Sequence, residues 1–157
     1  MKLLATVFAL FSLSLYIAGC TGNGGNVEAG STVNPIVNNP AGNKMKVTIG
    51  SAVFTAILTD NATTAAFRAM LPLTITMEEL NGNKKFYYFP GTLPSDASRG
   101  GNIHPGDLML YGNNCLVIFY EGFSTSYSYT RIGHFENGSG LAGALGSGNA
   151  TVQFELE

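Results

Sequence analysis

The chain has 157 residues, a length that suits one domain rather than two. Charged residues are only 11% of it against a hydrophobic share of 45%, and the net charge is −2. A mildly acidic chain with no basic cluster excludes nonspecific nucleic-acid binding, which needs many Lys/Arg contacts to phosphate. Its two cysteines exclude a disulfide scaffold and, without histidine, a four-ligand zinc site.

The N-terminus carries the strongest signal. Lys2 is followed by an uncharged apolar run from Leu3 to Tyr16, and Ile17-Ala18-Gly19-Cys20 ends it. A basic start, a short apolar core and small residues before a cut site make a secretory signal peptide over residues 1–19. Ile-Ala-Gly-Cys is similar to the lipobox of bacterial lipoproteins. That resemblance implies cleavage before Cys20, acylation of its thiol and amine, and a membrane partner reached through that lipid. Several acyl chains, each burying many CH₂ groups at about 0.8 kcal/mol, would hold the protein permanently. The resemblance also implies a cell-envelope location. Thr21, where an Asp would retain the protein in the inner membrane, points to the outer one. Loss of the segment removes Lys2 and leaves a net charge near −3.

Residues 20–44 hold the lipidated Cys and a Gly/Asn/Pro-rich stretch without apolar period, which is linker composition. About 24 flexible residues reach roughly 25–30 Å, enough to hold a domain off a membrane.

Residues 45–157 read as the domain. Lys46–Ile49 and Val53–Leu58 predict a hairpin around Gly50-Ser51. Asp60-Asn61 can cap a helix over Ala62–Met70, which Leu71-Pro72 ends. Leu73–Met77 alternates with β-branched residues, as a strand does. Asn81-Gly82-Asn83 is a turn, and Lys85–Phe89 the next strand. Residues 91–105 read as a surface loop. Asp107–Tyr111 and Cys115–Tyr120 predict two strands joined at Gly112-Asn113-Asn114. The second is apolar on both faces and belongs at the centre. The segment Gly122–Tyr127 reads as a polar, aromatic loop, Thr130–Glu136 as a strand, Ser139–Leu145 as a short helix and Ala150–Leu156 as the last strand. Many short strands with Gly/Asn turns predict a mainly β fold: a closed barrel of about eight strands with two short helices.

That order resembles the cyclophilin barrel. Thr64–Met70 is similar to the Thr-Ala-Glu-Asn-Phe-Arg-Ala-Leu helix of cyclophilins, one residue shorter. Gly106-Asp107 resembles the Gly-Asp after their catalytic strand, Leu116–Tyr120 their Phe-Phe-Ile strand, and Ile132-Gly133-His134-Phe135 their Phe-Gly-Lys-Val. The small bacterial cyclophilin-like proteins are closer still. They share Leu71-Pro72-Leu73, Gly106-Asp107, Tyr111, Asn113-Asn114 and Ile118-Phe119-Tyr120. The resemblance covers residues 45–157.

Cyclophilins isomerise X-Pro bonds, whose uncatalysed barrier is about 18–20 kcal/mol. The resemblance places an Arg, from a Phe-His-Arg-Val-Ile run, against the prolyl amide. Here the run is Phe86-Tyr87-Tyr88-Phe89-Pro90, so Tyr88 stands where Arg is expected. A phenol offers one neutral donor against five charged ones. The family's Gln before Gly-Asp is also missing from Ile103-His104-Pro105. The expected function is therefore a noncatalytic module that binds an extended peptide or small ligand. A weak prolyl isomerase or folding helper, and a structural subunit of an envelope assembly, are the alternatives. The expected groove is formed by Tyr88, Phe119, Tyr120, Tyr129 and Arg99, with Arg99 swinging in from its Gly-rich loop.

Other constellations point elsewhere. His104, His134 and Asp107 form a metal site only if the fold joins them, and no metal or cofactor is expected. Cys115 and His134 contain the residue types of a nucleophile and base, but Cys115 opens an apolar strand, where a buried structural thiol is the rule. The tyrosines at 87, 88, 111, 120, 127 and 129 crowd one half of the domain, and aromatic rings with polar tips suit peptide or carbohydrate contacts.

Overall fold

The computed structural model describes residues 40–157. Cys20, the signal segment and most of the tether lie outside the described residues. A 3₁₀ turn at Pro40–Asn43 leads into nine strands and two helices. The strands are β1 (Lys44–Ile49), β2 (Ala52–Leu58), β3 (Leu73–Leu80), β4 (Lys84–Tyr88), β5 (Ser98–Ile103), β6 (Asp107–Tyr111), β7 (Cys115–Phe119), β8 (Phe123–Phe135) and β9 (Ala150–Leu156). The helices are α1 (Ala62–Arg68) and α2 (Leu141–Leu145). Among the described residues no helix is long and apolar enough to cross a membrane.

Eight strands follow one another as β2-β1-β9-β3-β4-β7-β6-β8, and β8 returns to pair with β2. The sheet is thus a closed ring of antiparallel neighbours, which leaves those eight strands no free edge to aggregate through. The seam is short: Ala56, Ile57 and Leu58 face Phe135, His134 and Gly133. A Cβ at Gly133 would lie 2.3 Å from the Ile57 carbonyl oxygen, so the ring closes where one residue has no side chain.

The hairpin of β1 and β2 turns at Gly50, whose φ of 58° is the left-handed conformation that glycine adopts without steric cost. At α1, the Asn61 side chain accepts from the Thr64 amide at 2.8 Å and donates to the Arg131 carbonyl at 2.8 Å. One side chain caps the helix and fastens it to β8. The helix stops at Arg68, two residues before the expected end.

Alternation along each strand sorts residues between two faces. Inside the ring lie Val47, Leu108, Leu110, Leu116, Ile118, Val152 and Phe154, all wholly or almost wholly buried. Phe67 of α1 packs edge-on against Phe154 at 5.7 Å and beside Phe89 at 6.4 Å. Outside the ring a second buried cluster forms from Ile103, Met109, Cys115, Val117, Phe119 and Tyr129. Strand β7 contributes to both, which is why it is apolar on both faces and sits between β4 and β6.

Two expectations are corrected. Residues 91–105 are not all loop, because Ser98–Ile103 pairs with β8 as the ninth strand, laid beside the ring. The Gly122–Tyr127 segment is not a loop either. It begins β8, which runs thirteen residues and serves the ring with one half and β5 with the other.

Candidate functional site

Across the outer face, residues in direct register form rows. Tyr88 of β4 pairs with Cys115 of β7, Cys115 with Tyr111 of β6, and Tyr111 with Tyr129 of β8. The next row runs Phe86–Val117–Met109, and beyond it Lys84 pairs with Phe119. Directly opposed residues put their side chains on one face, so four strands present one aromatic surface.

The outer half of β8 raises a wall beside it, and together they enclose a groove of about 600 Å³. That volume lies in the range of small-ligand sites, about 300–1,000 Å³. Tyr88, Tyr111 and Tyr127 are 58%, 42% and 62% exposed there, a cluster of large rings left to solvent. The rings brace one another. Tyr111 meets Tyr127 edge-on at 6.0 Å and Tyr129 at 5.5 Å, and Phe86 meets Tyr88 edge-on at 5.7 Å. Asn81, Asn83, Ser124, Thr125 and Ser126 supply neutral polar groups around them, and Lys84 is the one charged side chain in the lining.

The residues expected to form a groove divide. Tyr88 and Tyr129 line it. Phe119 is wholly buried beneath, edge-on to Tyr129 at 5.5 Å and tilted against Phe123 at 5.6 Å, so it supports the wall without reaching the lining. Arg99 sits on β5 opposite Ser128, exposed and outside the lining. Tyr120 lies elsewhere, on Glu79. The six tyrosines divide likewise, with Tyr87 packed against the ring core and only Tyr88, Tyr111, Tyr127 and Tyr129 in the groove. Sequence reasoning missed Lys84 and Phe86. Their signal was the alternation of Lys84, Phe86 and Tyr88 on one face of β4.

The Cys115 thiol forms the groove floor, 4% exposed. Burial pushes its pKa up, and the neighbouring Tyr88 hydroxyl offsets this only in part. It is a poor thiolate and a poor nucleophile. The Asp107 carboxylate is engaged on both oxygens, by Arg131 at 2.7 Å and by the His104 amide at 2.9 Å. Among the described residues no group of three His, Cys, Asp or Glu is placed to hold a metal ion.

A second polar centre lies at the far end of β4 from Phe89. Lys85 points inward and is wholly buried. Its ammonium donates to Glu79, to the Gly146 carbonyl at 2.7 Å and to the Gly148 carbonyl at 2.6 Å. Three donors thus meet three acceptors. Tyr120 donates to the same carboxylate at 2.8 Å. Burial pushes Glu79 upward, but the hydrogen bonds from Lys85, Tyr120 and the Gly82 amide together hold it below the usual carboxylate range. Burial first, and then Glu79, pushes the Tyr120 phenol up to about 12. A shallow cavity of about 430 Å³ opens beside them.

A ring of eight strands with a helix after the first hairpin, and a groove on its outer face, defines a cyclophilin-like domain. The profile of the cyclophilin-like family matches residues 47–155, well over half the chain, and the chain belongs to that family. The solution structure of a hypothetical protein from Archaeoglobus fulgidus is similar, with a TM-score of 0.56 at 16% identity, covering 78% of this chain and 100% of that one. At that identity the likeness speaks for the fold alone. Of the curated proteins compared, none matches the chain.

Proposed function

We propose that this protein is a lipid-anchored lipoprotein of the bacterial cell envelope whose cyclophilin-like domain binds an extended peptide or small ligand without turnover. The observation that supports binding is the cross-strand row Tyr88–Cys115–Tyr111–Tyr129, which leaves large aromatic rings exposed in a groove of about 600 Å³. Exposed rings braced by their neighbours lose little side-chain freedom when a ligand covers them. What supports the absence of turnover is Tyr88 at the position where cyclophilins carry Arg, with the buried, protonated Cys115 thiol as its partner. The lipobox-like Ile17-Ala18-Gly19-Cys20 supports the anchor.

The test is a panel of X-Pro peptides offered to a soluble form of residues 40–157. Saturable NMR shifts on β4, β6 and β8 with no acceleration of isomerisation are expected. Tyr88→Ala should weaken binding about tenfold, the scale of losing one aromatic anchor. Clear acceleration would replace this reading with a prolyl isomerase. The anchor is tested separately: Cys20→Ala should release the protein from membranes and abolish palmitate labelling, and labelling that survives refutes it.

A further inference from the structure

We propose that the groove selects ligands carrying a carboxylate on an apolar or aromatic body, with the carboxylate seated at Lys84 and the body on the rings of Phe86, Tyr88 and Tyr111. This deepens the binding reading above and rests on it.

Three observations lead there. First, Lys84 is the sole formal charge in the lining, and it stands at one end of the groove with the side chains of Asn81 and Asn83. Second, its charge is unmatched. Among the described lysines, Lys44 pairs with Glu136, Lys46 with Glu155 and Lys85 with Glu79, while Lys84 has no carboxylate partner. Its ammonium donates to Asn83 Oδ1 at 2.9 Å and lies 5.6 Å from the centre of the Phe123 ring. An ammonium has three donors, so capacity remains for an incoming anion. Third, the acidic group that acts on it is already committed. The Glu79 carboxylate is held by Lys85, Tyr120 and the Gly82 amide.

The surroundings fit a half-buried cation awaiting a counter-charge. Burial lowers the Lys84 pKa, and the attraction of Glu79 does not restore it. A bound carboxylate would supply that attraction in a partly desolvated place, where a charge-assisted hydrogen bond is strongest. One ammonium and two amides, with no arginine and no second lysine in the lining, suit a monoanion better than a phosphate dianion. The rest of the groove offers aromatic rings and neutral hydroxyls but no second cation.

A carboxylate on such a body could come from a small acid or from the free C-terminus of a peptide, and matched probes separate the two. The full chain, solubilised in mild detergent, is titrated calorimetrically with 3-phenylpropionate and 3-phenylpropionamide, and with the tripeptide Ala-Ala-Phe as free acid and as amide. At least one acid should bind about tenfold more tightly than its amide, and added salt should erode that preference. Lys84→Met should abolish the preference and Lys84→Arg should retain it. The acid that shows the preference identifies the source. Equal binding of acid and amide, or a preference that survives Lys84→Met, overturns the proposal. If no acid binds while end-blocked X-Pro peptides or neutral oligosaccharides saturate the groove, this inference fails and the binding reading stands. If nothing binds, both fail.

Discussion

Lys85 offers the sharpest test of how the ring is held. Replacing it by Met keeps most of the buried stem but removes the ammonium from Glu79 and from the carbonyls of Gly146 and Gly148. Two carbonyl oxygens then lose their donor, but Gly146 and Gly148 are exposed and water can replace part of it, so each costs no more than about 1 kcal/mol. The carboxylate keeps Tyr120 and the Gly82 amide but loses its counter-charge. Removing one partner of a buried ion pair typically costs about 3–5 kcal/mol; Lys85 is wholly buried but Glu79 is 22% exposed, so Lys85→Met belongs at the low end, about 3 kcal/mol. For a domain of this size each kcal/mol moves Tm by roughly 4 °C, so a fall of about 12 °C is expected in a thermal melt of residues 40–157. The pH dependence gives a second readout. Folded-state hydrogen bonds depress the Glu79 pKa, so the stability it contributes is full above its unfolded value near 4.5 and is lost as pH falls through the folded value. The gap between wild type and Lys85→Met should therefore narrow in acid. Glu79→Gln combined with Lys85→Met should cost less than the two single losses added. A melt within about 4 °C of wild type, with additive losses, would refute the idea that this cluster ties the β3–β4 hairpin to the turn after α2.

Three further outcomes follow from named contacts. Gly133→Ala places a methyl 2.3 Å from the Ile57 carbonyl oxygen, and it should cost about 3 kcal/mol or prevent folding, as urea denaturation would show. Asn61→Ala removes the α1 cap and the link to Arg131, and a loss of about 1–2 kcal/mol is expected by the same measurement. Tyr120→Phe should lose about 1 kcal/mol at neutral pH. The raised phenol pKa makes that contribution full below the unfolded value near 10 and lost as pH rises through about 12, so the gap to wild type should shrink between these limits. A gap that stays constant in urea midpoints at pH 8 and pH 11 counts against the Tyr120–Glu79 bond.

Much of the ring was legible because its signals are local. Gly50-Ser51 marks a hairpin, Asn61 caps a helix, and Cys115–Phe119 is apolar at every position, as a strand buried on both faces must be. What escaped was whatever depends on a distant partner. Ser98–Ile103 is a strand of Ser, Gly and Asn with no apolar alternation, held by its pairing with β8. Phe123–Tyr129 did carry a signal, with rings at 123, 127 and 129 separated by Ser and Thr, but a segment this exposed is polar enough in composition to read as a loop. Nothing in the adjacent pair Lys84-Lys85 says which ammonium goes inward. That is decided by two carbonyls about sixty residues later. Tyr88 was placed by resemblance, whereas the division of the six tyrosines between groove, core and the Glu79 cluster needed the register of four strands.

The two-faced strands have a consequence for how this domain can change. On β4, β6 and β7 the residues that hold the ring closed and those that meet the groove alternate one by one along the same backbone. Substituting Tyr88 or Tyr127 removes rings that stand mostly in water, where the expected effect on stability is within about 0.5 kcal/mol. Truncating Leu110 or Leu116, each a single step along the chain from a groove position, opens a cavity worth about 2–5 kcal/mol. The scaffold can thus acquire a new specificity by exchanging every second residue, while the intervening ones keep the same ring upright beneath it.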